Sequence, residues 1–181
     1  AAAYPGLLTL GIERASQYIY RGIVADCLRG AEFLLSRSEV DRSRVGVQGD
    51  DLALLTAARR PAFAAVLAEE MLLYRLADAA GRSDAYPAEE LNDWVRGGGD
   101  RAAAAATLEH FDPRTHAPHI TATVMLPQGD DPEWLEPLRS TIRNVETYEL
   151  THRGAEDHEW LDAWLARKLG APARSRFLAR V

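Results

Sequence analysis

The chain has 181 residues, a length that suits one domain with a real core, and its 47% hydrophobic and 27% charged residues are ordinary for a soluble globular protein. The net charge of −6, with no basic run, argues against nucleic acid and anionic membrane surfaces as partners. A single cysteine, Cys27, excludes an internal disulfide and a cysteine-based zinc site.

From Tyr20 onward the apolar residues Ile23, Val24, Cys27, Leu28, Ala31, Leu34 and Leu35 form a helical stripe, with Cys27 expected in the helix core. The run SEVDRSR breaks that pattern and leads into a strand over 45–47. Gly49 ends the strand, and 51–59 reads as a short helix stopped before Pro61. Residues 63–69, FAAVLAE, read as a second buried strand. Residues 71–111 change character: helical pieces broken by Gly and Pro precede the alanine-rich RAAAAATLEHF, which predicts a helical, cap-like insertion. A third strand is expected over 121–126 and a helix over 132–142, with Trp134, Leu135 and Leu138 on one face. A fourth strand follows over 145–150. The last helix, 156–169, aligns Trp160, Leu161, Trp164, Leu165 and Leu169. Strands alternating with amphipathic helices predict an α/β protein with a mainly parallel sheet. Neither a repeat nor a low-complexity linker divides the chain, so one domain over 1–181 is expected. No segment is apolar for long enough to span a bilayer, and no signal peptide is seen, so the expected location is cytoplasmic.

Several stretches carry a resemblance. The passage GLLTLGIERASQYIYRGIVADCLRGAEFLLSRSEVDRSRVGV, then TLEHFDPRTHAPHI, then TATVMLPQGDD, resemble the C-terminal part of one α/β-hydrolase family, that of the acetyl xylan esterases and cephalosporin C deacetylases. The likeness runs almost to Leu169, and its most specific part is the passage from Tyr20 to Gly49. It implies a carbohydrate esterase (deacetylase) ancestry, an α/β-hydrolase fold and no cofactor or metal. In that family a Gly-Gly-Ser-Gln-Gly-Gly turn presents the attacking serine. The matching positions here are Gly49, Asp50, Asp51, Leu52, Ala53 and Leu54, so Asp51 takes the serine's place. The acidic triad member falls on Asp130, with Asp131 as its neighbour, and the histidine on His152, which Arg153 follows where the family has glutamate. His158, followed by Glu159, is the other histidine candidate. The family completes its oxyanion hole with a backbone N–H from a loop after an earlier strand, and these residues hold no match to that loop or to the fold's early strands. The strand over 45–47 is then expected at an open sheet edge. Such an edge invites an upstream portion of the chain, a complementing partner or a homo-oligomer contact.

Ester hydrolysis by this route needs a hydroxyl that a histidine can deprotonate. A carboxylate attacking an ester forms a mixed anhydride and is expelled in preference to the alkoxide. The resemblance therefore implies an esterase that has lost its activity, a pseudoenzyme with a structural or binding role, with an acetylated carbohydrate as the ligand class. The alternative keeps Asp51 as nucleophile toward an epoxide or a haloalkane, with His152 as base and Asp130 as its orienter. Trp94 or Tyr74 would then supply a group to bind the substrate. In the inactive reading Asp51 or Asp50 simply caps a helix, and a third reading is an intact esterase whose serine comes from another chain. Asp130 and Asp131 equally suit a turn that caps the helix from Pro132. His110, Asp112, His116 and His119 lie close in sequence as a metal cluster would, but Pro113 and Pro118 break the helical spacing that would converge them. Trp160 and Trp164 read as core packing. The run RGGGD, 96–100, lacks the strand and lysine of a phosphate loop and reads as a hinge.

Overall fold

The structure, a computed structural model, describes residues 6–128 and 131–175. In chain order the elements are α1 (Ile19–Ser36), β1 (Gly46–Gly49), α2 (Asp51–Arg59), β2 (Ala65–Ala68), α3 (Leu76–Ala79), α4 (Ala88–Arg96), α5 (Arg101–Glu109), α6 (Pro113–His116), β3 (Thr123–Gln128), α7 (Pro132–Arg139), β4 (Val145–Glu149) and α8 (Gly154–Lys168). The four strands form one parallel sheet in the order β1-β2-β3-β4. Each parallel neighbour must be reached by a crossover, and α2, the α3–α6 segment and α7 supply the three.

Alternation along the central strands builds a core on both faces of the sheet. Val66, Ala68, Val124 and Leu126 pack with Ala53, Leu54 and Ala57 of α2 and with Leu135 and Leu138 of α7. Their neighbours Ala65, Leu67 and Met125 point the other way, onto Leu161 and Trp164 of α8. The helices between β2 and β3 share a third cluster, in which Leu76, Leu91 and Leu108 meet Leu8, Ile12 and Tyr18; Leu55 of α2 belongs to it too. No helix among the described residues is long and apolar enough to cross a membrane.

Several boundaries differ from the sequence expectation, for reasons visible in the ladder. β1 starts one residue later than expected and runs on to Gly49, because Gln48 and Gly49 still pair with Leu67 and Ala68. Backbone pairing does not require apolar side chains, so hydrophobicity underestimates the strand. β3 likewise continues through Pro127 to Gln128. Val124 donates toward the β4 side and Gln128 accepts from it, so by the two-residue alternation the nitrogen of Pro127 faces β2. Pairing with β2 has already ended at Met125, and the missing N–H costs no ladder bond. Cys27 is a correction: it lies on α1 but is half-buried and lines a groove beside β1, not the packed core.

β1 is the edge of the described sheet. The carbonyls of Val45 and Gly49 accept from the N–H groups of Ala64 and Glu69, each at 2.8 Å. By the same alternation, the backbone groups of Gly46 and Gln48 are turned to the open side. A groove of about 430 Å³ runs alongside, walled by Ala31 and Leu34 of α1, Val47, Ala53 and Phe63.

Candidate active site

A parallel sheet delivers the residues that follow its strands to one edge, which is where ligands of such sheets bind. Here that edge carries Asp50 and Asp51 after β1, Glu69 after β2, and Thr151 and His152 after β4. Asp130 lies outside the described residues.

The turn after β1 divides its two carboxylates between different tasks. Asp50 is the cap of α2, its Oδ1 accepting the N–H of Leu52 at 2.8 Å. This satisfies one of the donors that a helix start leaves unpaired. Asp51 is the first residue of α2 and is 0% exposed. Its Oδ2 accepts the backbone N–H groups of Leu72 and Leu73. Its Oδ1, equally buried, has no hydrogen-bond partner among the described residues. Burial pushes the carboxyl up to about 7, against the N–H groups of Leu73 and Leu72, while Asp50 and Asp112 add repulsion. Asp51 thus ties the loop after β2 over the start of α2. Two residues on, the Tyr74 hydroxyl donates to the carbonyl of Trp134 at 2.6 Å, and Arg75 N–H donates to Asp112 Oδ2 at 3.1 Å. The loop is held at three points, one each on α2, α7 and the start of α6.

His152 stands in the left-handed region, with φ 61°, a conformation that favours glycine. Asp157 in the first turns of α8 holds that turn in place. It is 5% exposed and accepts from Thr151 N–H at 3.0 Å, Thr151 Oγ1 at 2.8 Å, the Tyr148 hydroxyl at 2.8 Å and Arg153 N–H at 3.2 Å. Burial opposes its ionisation, but these bonds from Thr151, Tyr148 and Arg153 prevail and hold its carboxyl down at about 2. These four bonds fix the turn that carries His152. Beside it, His158 Nδ1 lies 3.5 Å from Glu69 Oε2, and Gln48 bonds to the other oxygen of Glu69. Glu69, Pro127, His152, Asp157 and His158 line one cavity of about 370 Å³.

Both histidine candidates therefore share a cavity with carboxylates, a set of groups able to move protons. Asp51 is turned under the loop at Leu72 and Leu73 instead. Asp131 caps α7, its Oδ1 accepting the N–H of Trp134 at 3.1 Å. Among the described residues no group of three or more candidate ligands could hold a metal ion. Asp112 is engaged by Arg114 and Arg75, and His116 Nε2 faces the carbonyl of His110 at 2.9 Å. Glu69 and Asp157 were not anticipated from the sequence. An acid in the first turns of a helix was the available signal for Asp157, and nothing local distinguishes Glu69 from Glu70.

The family model of acetyl xylan esterase (AXE1) matches residues 1–131. The chain belongs to the acetyl xylan esterase family. Solved structures agree on the fold. An acetyl xylan esterase from Paenibacillus sp. R4 superposes with a TM-score of 0.77 at 24% identity, over 94% of this chain and 58% of that one. Acetyl xylan esterase 1 from Thermoanaerobacterium sp. JW/SL YS485 does so at 0.68 and 21%, over 89% of this chain and 58% of that one. A puromycin-hydrolyzing peptidase of Mycobacterium tuberculosis follows at 0.60 and 17%, over 87% of this chain and 27% of that one. The α/β-hydrolase fold thus holds across the set, and the chain spans under two thirds of the length of the two esterases. Its cavity lies at the strand ends, the edge of a parallel sheet where ligands of such sheets bind.

Proposed function

We propose that this member of the acetyl xylan esterase family does not hydrolyse acetyl esters and serves in binding or structure. One observation carries the reading: the carboxylate at the elbow position, Asp51, is fully buried and spends one oxygen on the N–H groups of Leu72 and Leu73. It anchors a loop where the resemblance puts an attacking serine. A carboxylate there would in any case form a mixed anhydride that reverts faster than it proceeds. Family membership brings an acetylated carbohydrate as the ligand class, and the cavity between Glu69 and His152 is the place proposed for it.

The partner surface is part of the same proposal. The open edge of β1, with Gly46 and Gln48 turned outward beside an apolar groove, suits a complementing parallel strand. A cytoplasmic location also belongs to this reading.

The test is a fluorophosphonate probe, which traps an attacking hydroxyl as a covalent adduct. The intact mass of the protein should stay unchanged after exposure. A stoichiometric adduct that requires His152 would refute the proposal. The alternative, Asp51 attacking an epoxide or haloalkane with His152 and Asp130 in support, draws only on the unpartnered Oδ1. It predicts an ester trapped on Asp51 in a His152→Ala background, and the full burial of Asp51 speaks against it.

A further inference from the structure

At the opposite end of α2 from Asp51, a groove of about 410 Å³ opens between α1, α2 and the α5–α6 connection. Its floor is apolar. Val24 and Leu28, four apart on one face of α1, meet Leu55 of α2 and Phe111. Its rim is cationic, carrying Arg21, Arg59 and Arg60.

The three guanidiniums are not equivalent. Arg60 is committed, paired with Glu32 and donating to the carbonyl of Arg59. Arg59 faces His116 Nδ1 at 3.5 Å. The Nε2 of the same ring faces the carbonyl of His110 at 2.9 Å, and a carbonyl can only accept. Nε2 therefore carries a proton, and the ring beside Arg59 brings no carboxylate charge that would neutralise the guanidinium. Among the described residues neither Arg59 nor Arg21 has a carboxylate within ion-pair distance. Yet acidic residues outnumber basic ones 27 to 21 along the chain. Positive charge is thus gathered here against the sign of the whole molecule. The carbonyl end of α2 explains a cation at Arg59. It does not explain Arg21, which projects from a separate helix, or the apolar floor between them.

A guanidinium presents a planar fork that matches a carboxylate, and an apolar floor of this volume accepts a small organic body. We propose that this groove binds a small monocarboxylic acid with an apolar chain, its carboxylate held by Arg21 and Arg59 and its chain laid over Val24, Leu28, Leu55 and Phe111. The site is independent of the elbow and of any esterase activity.

Titration calorimetry of the 181-residue protein with sodium octanoate, below its micelle-forming range, tests this. Octanoate should bind with an affinity that falls as salt is raised, whereas octylammonium, acetate and inorganic phosphate should bind at least ten-fold more weakly. Arg21→Gln and Arg59→Gln should each weaken octanoate at least five-fold, and Leu28→Gln should weaken it without altering the salt dependence. Circular dichroism would establish that the variants remain folded, and an Arg59→Lys variant should retain part of the affinity. Equal binding of octanoate and octylammonium, phosphate binding as tight as octanoate, or an unchanged affinity in the Arg21→Gln, Arg59→Gln double variant would each overturn the assignment.

Discussion

At Asp51 two opposed effects meet: burial disfavours the charged carboxylate, and the N–H groups of Leu73 and Leu72 favour it. Burial prevails, and the folded-state value near 7 lies above the 3.8 of an unhindered aspartate. Stability from this group is therefore full below about pH 4 and is lost as the pH rises through 7. Asp51→Asn keeps an oxygen for the two N–H groups and removes the titration. From pH 5 to pH 8 the variant should gain on the parent protein by an amount on the order of 2–4 kcal/mol, read from urea unfolding at each pH. Parallel pH profiles for the two proteins would show that the carboxylate is not held as described. Asp50, one residue earlier, makes a different prediction. Asp50→Ala removes the cap of α2 and should cost about 1 kcal/mol, read from the same urea unfolding.

Elements were legible where a local pattern reports them. The helix over 51–59 emerges with the expected bounds because Asp50, the apolar run and Pro61 all act within a few residues of it. The four parallel strands also follow from their alternation with helices. The ends of β1 and β3 did not, since Gln48, Gly49 and Pro127 take part through the backbone and their pairing depends on a neighbouring strand. The candidate site was legible only in part. His152 and Asp51 follow from a resemblance to one family. The donors from Leu72 and Leu73, the Glu69–His158 contact and the Arg21–Arg59 rim join residues 21 to 89 positions apart, and no local signal links them. In the core, Leu67 is 0% exposed between β2 and α8. Leu67→Ala should cost about 2–5 kcal/mol, measured by the same urea unfolding, and a smaller loss would mean that α8 closes over the gap.

For the molecule as a whole, β1 is the edge of the described sheet, with the backbone groups of Gly46 and Gln48 turned outward. In the isolated chain, amides of Gly46 and Gln48 should exchange with solvent deuterium far faster than those of Val47 and Gly49, which the alternation turns toward β2. Protection of all four alike in the monomer would contradict the assigned edge. A complementing strand should slow Gly46 and Gln48 selectively. Gln48→Pro, which removes an outward N–H, should abolish that effect and leave the β1–β2 pairing intact.

The fold, the elbow and the histidine turn converge on the rate of p-nitrophenyl acetate hydrolysis, compared between the parent protein and its His152→Ala variant. The expected result is a rate in both proteins no higher than that of a folded protein without an active site, and equal between them. Multiple turnover that disappears with the imidazole of His152 would mean that an attacking group is at work after all, and the role given to Asp51 would be wrong.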